Sequence, residues 1–313
     1  TQSTWGGSNE TSSSQVEMER SKFVIEAPDA LKMADRTGKT VEQLLPTLVK
    51  QAQSLARPPI SNYHVGAVGM GQSGRIFFGV NLEFPGLPLH HSIHAEQFLM
   101  ISLALHAEHT LTHLAVSAAP CGHCRQFLQE TRGAQDIRIL ITASDVPHSF
   151  LPLSTFLPNR FGPDDLLGGD TPLFLESCHN GLSLACGNQV RNGGCAKLDV
   201  LKEEALKAAN RSHAVYSRCP SGVAVVDEEG RVYSGSYVES AAHNPSLGPV
   251  QAALVNYVAG GGEGYERIVA AVLVEVEDAV VKQEATARLL LRSVAPNCQI
   301  SVLYCVRDSV FKQ

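Results

Sequence analysis

The hydrophobic pattern changes period several times along the chain, and each change marks an element. Residues 41–55 carry apolar positions at helical spacing. Two short apolar stretches follow, 65–70 and 75–81, separated by the turn Gly71-Gln72-Ser73-Gly74, which predicts a β-hairpin. The pattern then predicts a helix near 94–107, a strand over 113–119, a helix near 122–132 and a strand over 137–143. The same series returns later: helix 198–210, strands 222–227 and 231–238, helix 250–259, strand 268–276, helix 283–295 and strand 300–306. Each half is a helix, a β-hairpin and then βα units. That order predicts an α/β fold in which a mixed sheet carries helices on its faces.

The two halves also match residue by residue. Residues 60–84 align with 216–240 without a gap, at an offset of 156 (217 − 61). Ser61 meets Ser217, Gly66 meets Gly222, Gly74-Arg75 meets Gly230-Arg231, Gly79 meets Gly235, and Glu83 meets Glu239. Two tandem modules are therefore expected, 21–150 and 198–313. Between them, the prolines, "LLGGD" and "RNGG" of 151–197 predict a looped connector. Residues 1–20 are polar and Ser-rich, and read as a disordered tail or an expression remnant.

Composition narrows the partners. The net charge of −6 and the lack of a Lys/Arg stripe disfavour a protein that grips nucleic acid. No apolar run approaches the roughly 20 residues that span a bilayer. Neither a signal nor a transit peptide is legible, so a cytoplasmic location is the default. The 8 cysteines then read as buried small hydrophobes or as metal and catalytic groups.

The chemistry concentrates in "HHSIHAEQ" (90–97) and "PCGHC" (120–124). Cys121 and Cys124, three apart, share a helix face and can chelate one ion. Pro120 marks the helix entrance, where free N–H groups and the dipole favour thiolates. With His94 they form a soft donor set suited to zinc, and the fourth tetrahedral position stays open. Glu96 follows His94 by two, a spacing that splays side chains by about 200° in mid-helix. At a helix start, His94 can bind the metal while Glu96 reaches the water beside it, which is a hydrolytic arrangement. A CxxC alone also fits a structural zinc half-site or a redox pair. His90, His91 and His123 are expected to be polar bystanders, with His123 facing away. Cys178, His179, Cys186 and Cys195 match no recognised ligand spacing.

These residues resemble the zinc-dependent cytidine deaminases; HxE…PCxxC is the general signature of zinc deaminases. "VNLEF", "HHSIHAEQ", "AAPCGHCRQF", "LPNRFGPDDLL" and "GSYVESAAHNPSLGPVQAAL" resemble the two-domain, homodimeric type, and plant members in particular. The resemblance covers about residues 25–306. It implies two tandem α/β/α modules, each built on a mixed five-stranded sheet. It implies a hydrolase that converts cytidine and 2′-deoxycytidine to the uridines with release of ammonia, in pyrimidine salvage. His94, Cys121 and Cys124 would hold one Zn2+ per chain, and Glu96 would shuttle protons while activated water attacks C4. Asn81 and Glu83 would bind ribose, and Tyr63 would stack on the base. Ala95 and Ala119 would read the pyrimidine edge through their backbone, and Phe161 would reach into a neighbouring subunit's site. Arg125 is expected to hydrogen-bond a zinc-bound sulfur.

The second half is expected to be silent. At the offset of 156, His94 falls on Val250, Glu96 on Ala252, Cys121 on Glu277 and Cys124 on Val280, while Asn81 meets Tyr237. Two other readings compete: a polynucleotide cytidine deaminase and a non-catalytic, zinc-stabilised binding protein.

Overall fold

The structure, a computed structural model, describes residues 23–143, 149–185 and 196–307. Both predicted hairpins form, and each nucleates a sheet. The first sheet contains β1 (Val24–Ile25), β2 (Gly66–Gly71), β3 (Ile76–Val80), β4 (Leu111–Val116), β5 (Arg138–Ile141) and β6 (Leu151–Pro152), in the order β1-β3-β2-β4-β5-β6. The second contains β7 (Leu182–Leu184), β8 (Ser221–Asp227), β9 (Val232–Ser236), β10 (Ile268–Val276) and β11 (Gln299–Arg307), in the order β7-β11-β10-β8-β9. In each sheet one pair is parallel, β4–β5 or β10–β11, and every other pair is antiparallel. Both sheets are mixed, as expected. The second has the expected five strands, whereas the first has six. Two edge strands of two residues each, β1 and β6, flank four longer strands and bring it to six; both are too short to show a period. The connector adds one edge strand to each sheet: β6 pairs with β5, and β7 with β11.

The helices are α1 (Ala27–Thr37), α2 (Val41–Ser54), α3 (Ala95–Leu105), α4 (Gly122–Phe127), α5 (Leu153–Phe156), α6 (Pro163–Leu166), α7 (Ala196–Asn210), α8 (Pro249–Ala259) and α9 (Glu284–Val294). Helix α2 starts at a capping box, Thr40 with Gln43, and buries Leu44, Leu45, Leu48, Val49 and Ala52 on one stripe. Helix α4 is shorter than the predicted 122–132, because residues Leu128–Glu130 tighten into a 3-10 turn. Helix α3 differs in kind: every residue from Ala95 to Leu103 is buried. Only a helix covered on both sides can be apolar all round. Its covers are the first sheet and α8, which packs on it from the second module. One apolar cluster accordingly runs through both modules, from Leu45 and Phe98 to Leu254 and Tyr257.

The repeated glycines explain how α3 and α8 sit so close to their sheets. A Cβ on Gly79 would lie 2.1 Å from the Ala95 carbonyl oxygen, and one on Gly235 would lie 2.1 Å from the Ala253 nitrogen. No side chain fits there. Gly74 and Gly230 close the two hairpin turns at φ +84° and +82°, in the left-handed region.

Candidate active site

The first turn of α3 settles how His94 and Glu96 share one site. His94 is the N-cap, with extended backbone (φ −82°, ψ 155°), and Glu96 is the second helical residue. The chain changes direction between them, so the mid-helix splay does not apply. Strand β4 leads to Pro120, and Cys121 is the extended N-cap of α4 (φ −69°, ψ 169°), with Cys124 in its first turn. The two helix starts converge. His94 Nδ1 lies 3.4 Å from Cys121 Sγ and 3.3 Å from Cys124 Sγ. The three ligand atoms all lie within 4.8 Å of one another. A tetrahedral zinc separates a sulfur and a nitrogen ligand by roughly 3.5 Å, so this donor set fits it. It is the one such group of His, Cys or acidic residues found among the described residues.

The electrostatics agree with a cation site. Hydrogen bonds from Cys124 and His94 hold the Cys121 thiol down at about 3, a thiolate at neutral pH. The hydrogen bond to Cys121 and burial push Cys124 up. Glu96 is 5% exposed, and its Oε2 lies 3.3 Å from Cys124 Sγ. Burial raises its carboxyl pKa.

A cavity of about 320 Å³ opens over this centre. His94, Glu96 and Cys121 line it, together with Tyr63, Asn81, Glu83, Ala95 and Ala119. Phe161 does not line it; its carbonyl accepts from Gln126 Nε2 at 2.5 Å, and the residue is 47% exposed. A larger groove of about 580 Å³ runs between the modules past Ile101, His213 and Tyr233, and none of the predicted site residues faces it.

Asn81 and Glu83 are both engaged by one loop. Asn81 Oδ1 accepts the Val65 N–H (2.9 Å), and its Nδ2 donates to the Tyr63 carbonyl (2.9 Å). Glu83 accepts the Ile60 and Ser61 N–H groups (2.9 Å each) and the Ser61 hydroxyl (2.6 Å). Ser61 also lines the cavity, and sequence reasoning gave it no role. The signal was present: Ser61 and Glu83 recur together as Ser217 and Glu239. Ser92 and Ile93 line the cavity too, and no sequence feature marks them.

Two expectations need correcting. Arg125 does not bond a sulfur: its Nε donates to the Pro120 carbonyl (2.7 Å) and its Nη1 to that of Phe156 (2.9 Å). The guanidinium fork is spent on backbone, so it ties the segment before Cys121 to α5. His123 does not face away either. Its ring packs on that of His94, with centroids 5.5 Å apart, and it stays outside the ligand group. Of the second cysteine cluster, Cys178 contacts the Arg211 carbonyl through Sγ at 3.6 Å, whereas Cys186 and Cys195 lie outside the described residues.

The second module also corrects the alignment. The paired bridges Leu82–Ile93 and Val238–Leu247 are equivalent, so the offset falls from 156 (238 − 82) to 154 (247 − 93) across the intervening loop. His94 therefore corresponds to Gly248, the N-cap of α8, and Glu96 to Val250. At the start of α9, Gln283 takes the N-cap place of Cys121, and Thr286 that of Cys124. The conclusion survives the shift: these positions hold no metal ligand of the first module's kind. Glu275, 1% exposed, accepts the Gln283 N–H there at 2.7 Å.

Three soft ligands, a free coordination position and a buried carboxylate, carried on an α/β/α module, define the class of zinc-dependent hydrolytic deaminases. Two profiles of the cytidine and deoxycytidylate deaminase zinc-binding region match, over residues 39–140 and 153–288. The chain belongs to this family. Cytidine deaminase 1 of Arabidopsis thaliana is 60% identical over 92% of this chain and 99% of its own length. Cytidine deaminase 6 of the same plant is 51% identical over 85% of this chain and 92% of its own. A crystal structure of cytidine deaminase from Mycobacterium tuberculosis is 29% identical, covering 38% of this chain and 96% of that one, with a TM-score of 0.34. Among the described residues, no helix is long and apolar enough to cross a membrane.

Proposed function

We propose that this protein deaminates cytidine and 2′-deoxycytidine by hydrolysis, giving the uridines and ammonia. The observation that carries this reading is the buried carboxylate of Glu96 beside the ligand group, in one cavity with Asn81 and Glu83. His94, Cys121 and Cys124 would hold one zinc per chain. When bound, zinc supplies Lewis-acid activation of water at neutral pH. Glu96 takes a proton from the attacking water and delivers it to N3 of the base as the oxygen bonds to C4. It then takes the second proton from the new C4 hydroxyl and passes it to the amino group, which leaves as ammonia as the C4–N4 bond breaks. Its burial supports this double role, because a carboxyl with a raised pKa gives up and takes back a proton with little cost either way.

The remaining contacts belong to binding. Asn81 and Glu83 keep lone pairs and one amide hydrogen free for the ribose 3′-hydroxyl. Tyr63 stacks on the cytosine, and the backbone at Ala95 and Ala119 reads its edge. We also propose a homodimer that covers the cavity, where Tyr63 is 60% exposed. Phe161 of one subunit would close the site of the other. The catalytic module is assigned to 21–150, the connector to 151–197 and the silent module to 198–313. The location is assigned to the cytoplasm, in pyrimidine salvage; residues 1–20 lie outside the described residues.

The test is direct. The protein is incubated with cytidine, dCMP and single-stranded DNA, and ammonia or uracil formation is followed. Turnover of free cytidine is expected; activity on DNA alone, or on none of the three, sinks the proposal.

A further inference from the structure

The starts of α3 and α8 face one another, and each is closed by a glutamine at its third helical position. Gln97, 1% exposed, accepts the His94 N–H at Oε1 (3.3 Å) and donates from Nε2 to the Pro245 carbonyl (3.2 Å). Gln251 repeats the arrangement in reverse. Its Oε1 accepts the Gly248 N–H (3.0 Å), and its Nε2 donates to the His91 carbonyl (3.0 Å). In both cases the carbonyl belongs to the residue three before the other helix's N-cap, His91 before His94 and Pro245 before Gly248. The modules are thus joined by a reciprocal, twofold-like clasp of two buried amides.

The two halves of the clasp do different work. The N–H held by Gln97 belongs to a metal ligand, and its Nε2 also lies 3.1 Å from Nε2 of His123, whose ring packs on that of His94. Gln251 fixes the backbone of His91, at the end of the short turn that leads into His94. Groups that orient metal ligands tune how well the metal is held.

We propose that the silent module is a positioning element for the metal centre, acting through Gln251 and Gln97 to fix the backbone that presents His94. Neither glutamine touches reacting atoms; both are positioning residues. The inference rests on the zinc-centre reading above.

The test compares the full-length, zinc-loaded protein with Gln251→Met and Gln251→Asn. Methionine keeps the buried volume without either hydrogen bond, and asparagine keeps the amide but falls one methylene short. Both changes lie in the silent module, away from the cavity. Zinc transfer to a chromophoric chelator should be about tenfold faster in both. The kcat for cytidine should fall several-fold while KM stays within twofold, and Gln97→Met should accelerate zinc release further. If methionine prevents folding, the asparagine variant carries the test alone. Variants that melt lower yet release zinc and turn over at wild-type rates would overturn the proposal, because the clasp would then only join the modules. A wild-type protein that binds no zinc would instead overturn the metal-centre reading.

Discussion

The two modules are built on one plan and differ at two helix starts. The order of the four central strands, the single parallel pair, the hairpin glycines and the close approach of the central helix are the same in both. Where the first module has His94 and Glu96, the second has Gly248 and Val250. Gln283 and Thr286 stand where the first module has Cys121 and Cys124. Another difference lies at the end of the strand leading to that site. Continuing the β2–β4 and β8–β10 registers makes Glu275 the counterpart of Ala118, which lines the cavity of the first module. In the second module a buried carboxylate occupies that place. The fold of the first module therefore persists in the second without its His, Glu and Cys side chains. On the function proposed above, the activity depends on four side chains that the scaffold presents but does not require.

The sharpest way to test this contrast is to change equivalent residues. Glu96→Gln should retain zinc and lose about a thousandfold or more in kcat, the upper range for a removed general acid–base. Val250→Ala, at the same helical position in the silent module, should leave kcat within twofold. A thousandfold loss from Val250→Ala would destroy the comparison. Metal content comes next: one zinc per chain is expected, falling well below one in Cys124→Ser. Two zincs per chain in the wild-type protein would mean that the second module is not silent. A third effect is smaller. Arg125 bonds two backbone carbonyls, and its counterpart at the fourth position of α9 is the buried Ala287. Arg125→Gln should lower stability in urea unfolding by about 1–2 kcal/mol, as expected for lost charged hydrogen bonds. Its kcat/KM should fall far less than that of Glu96→Gln. A hundredfold loss with unchanged stability would restore the idea that Arg125 acts on a sulfur.

Much of this molecule was legible because the repeat doubled every signal. The hairpins showed as apolar runs around Gly-ending turns, and the metal group as His94 with a CxxC behind a proline. The failures have specific causes. Strands β1 and β6 have two residues each, below any period. The offset changes by two within a loop, which no hydrophobic pattern records, so a gapless alignment pairs His94 with Val250 instead of Gly248. Arg125 and His123 were misjudged because charge and ring chemistry say what a side chain can bond, not which neighbour the fold brings to it. The cross-module glutamines were invisible for the same reason: each looks like an ordinary third-position cap until the partner carbonyl appears.

The smallest expected effect bears on a feature both modules keep. In the silent module, Glu239 accepts the Tyr216 and Ser217 N–H groups and the Ser217 hydroxyl, as Glu83 does with Ile60 and Ser61. A contact set that survives where no ribose is expected has a structural task, anchoring the loop. In the first module, burial pushes the Glu83 carboxyl up, but the bonds from the Ser61 hydroxyl, the Ser61 N–H and the Ile60 N–H outweigh it and hold the pKa below 4.5. A carboxyl lowered on folding stabilises the fold above its unfolded pKa, and that contribution disappears as pH falls through the folded value. Ser61→Ala removes one of these bonds, so it should cost about 1 kcal/mol or less at pH 7, and progressively less as pH drops below 4.5. Ser217→Ala should cost a similar amount at pH 7. The two variants part in activity: Ser61→Ala loosens the loop that carries Tyr63 and should raise KM several-fold, whereas Ser217→Ala should leave KM unchanged. Equal KM values for the two variants would show that the loop anchor is structural in both modules, with no bearing on substrate.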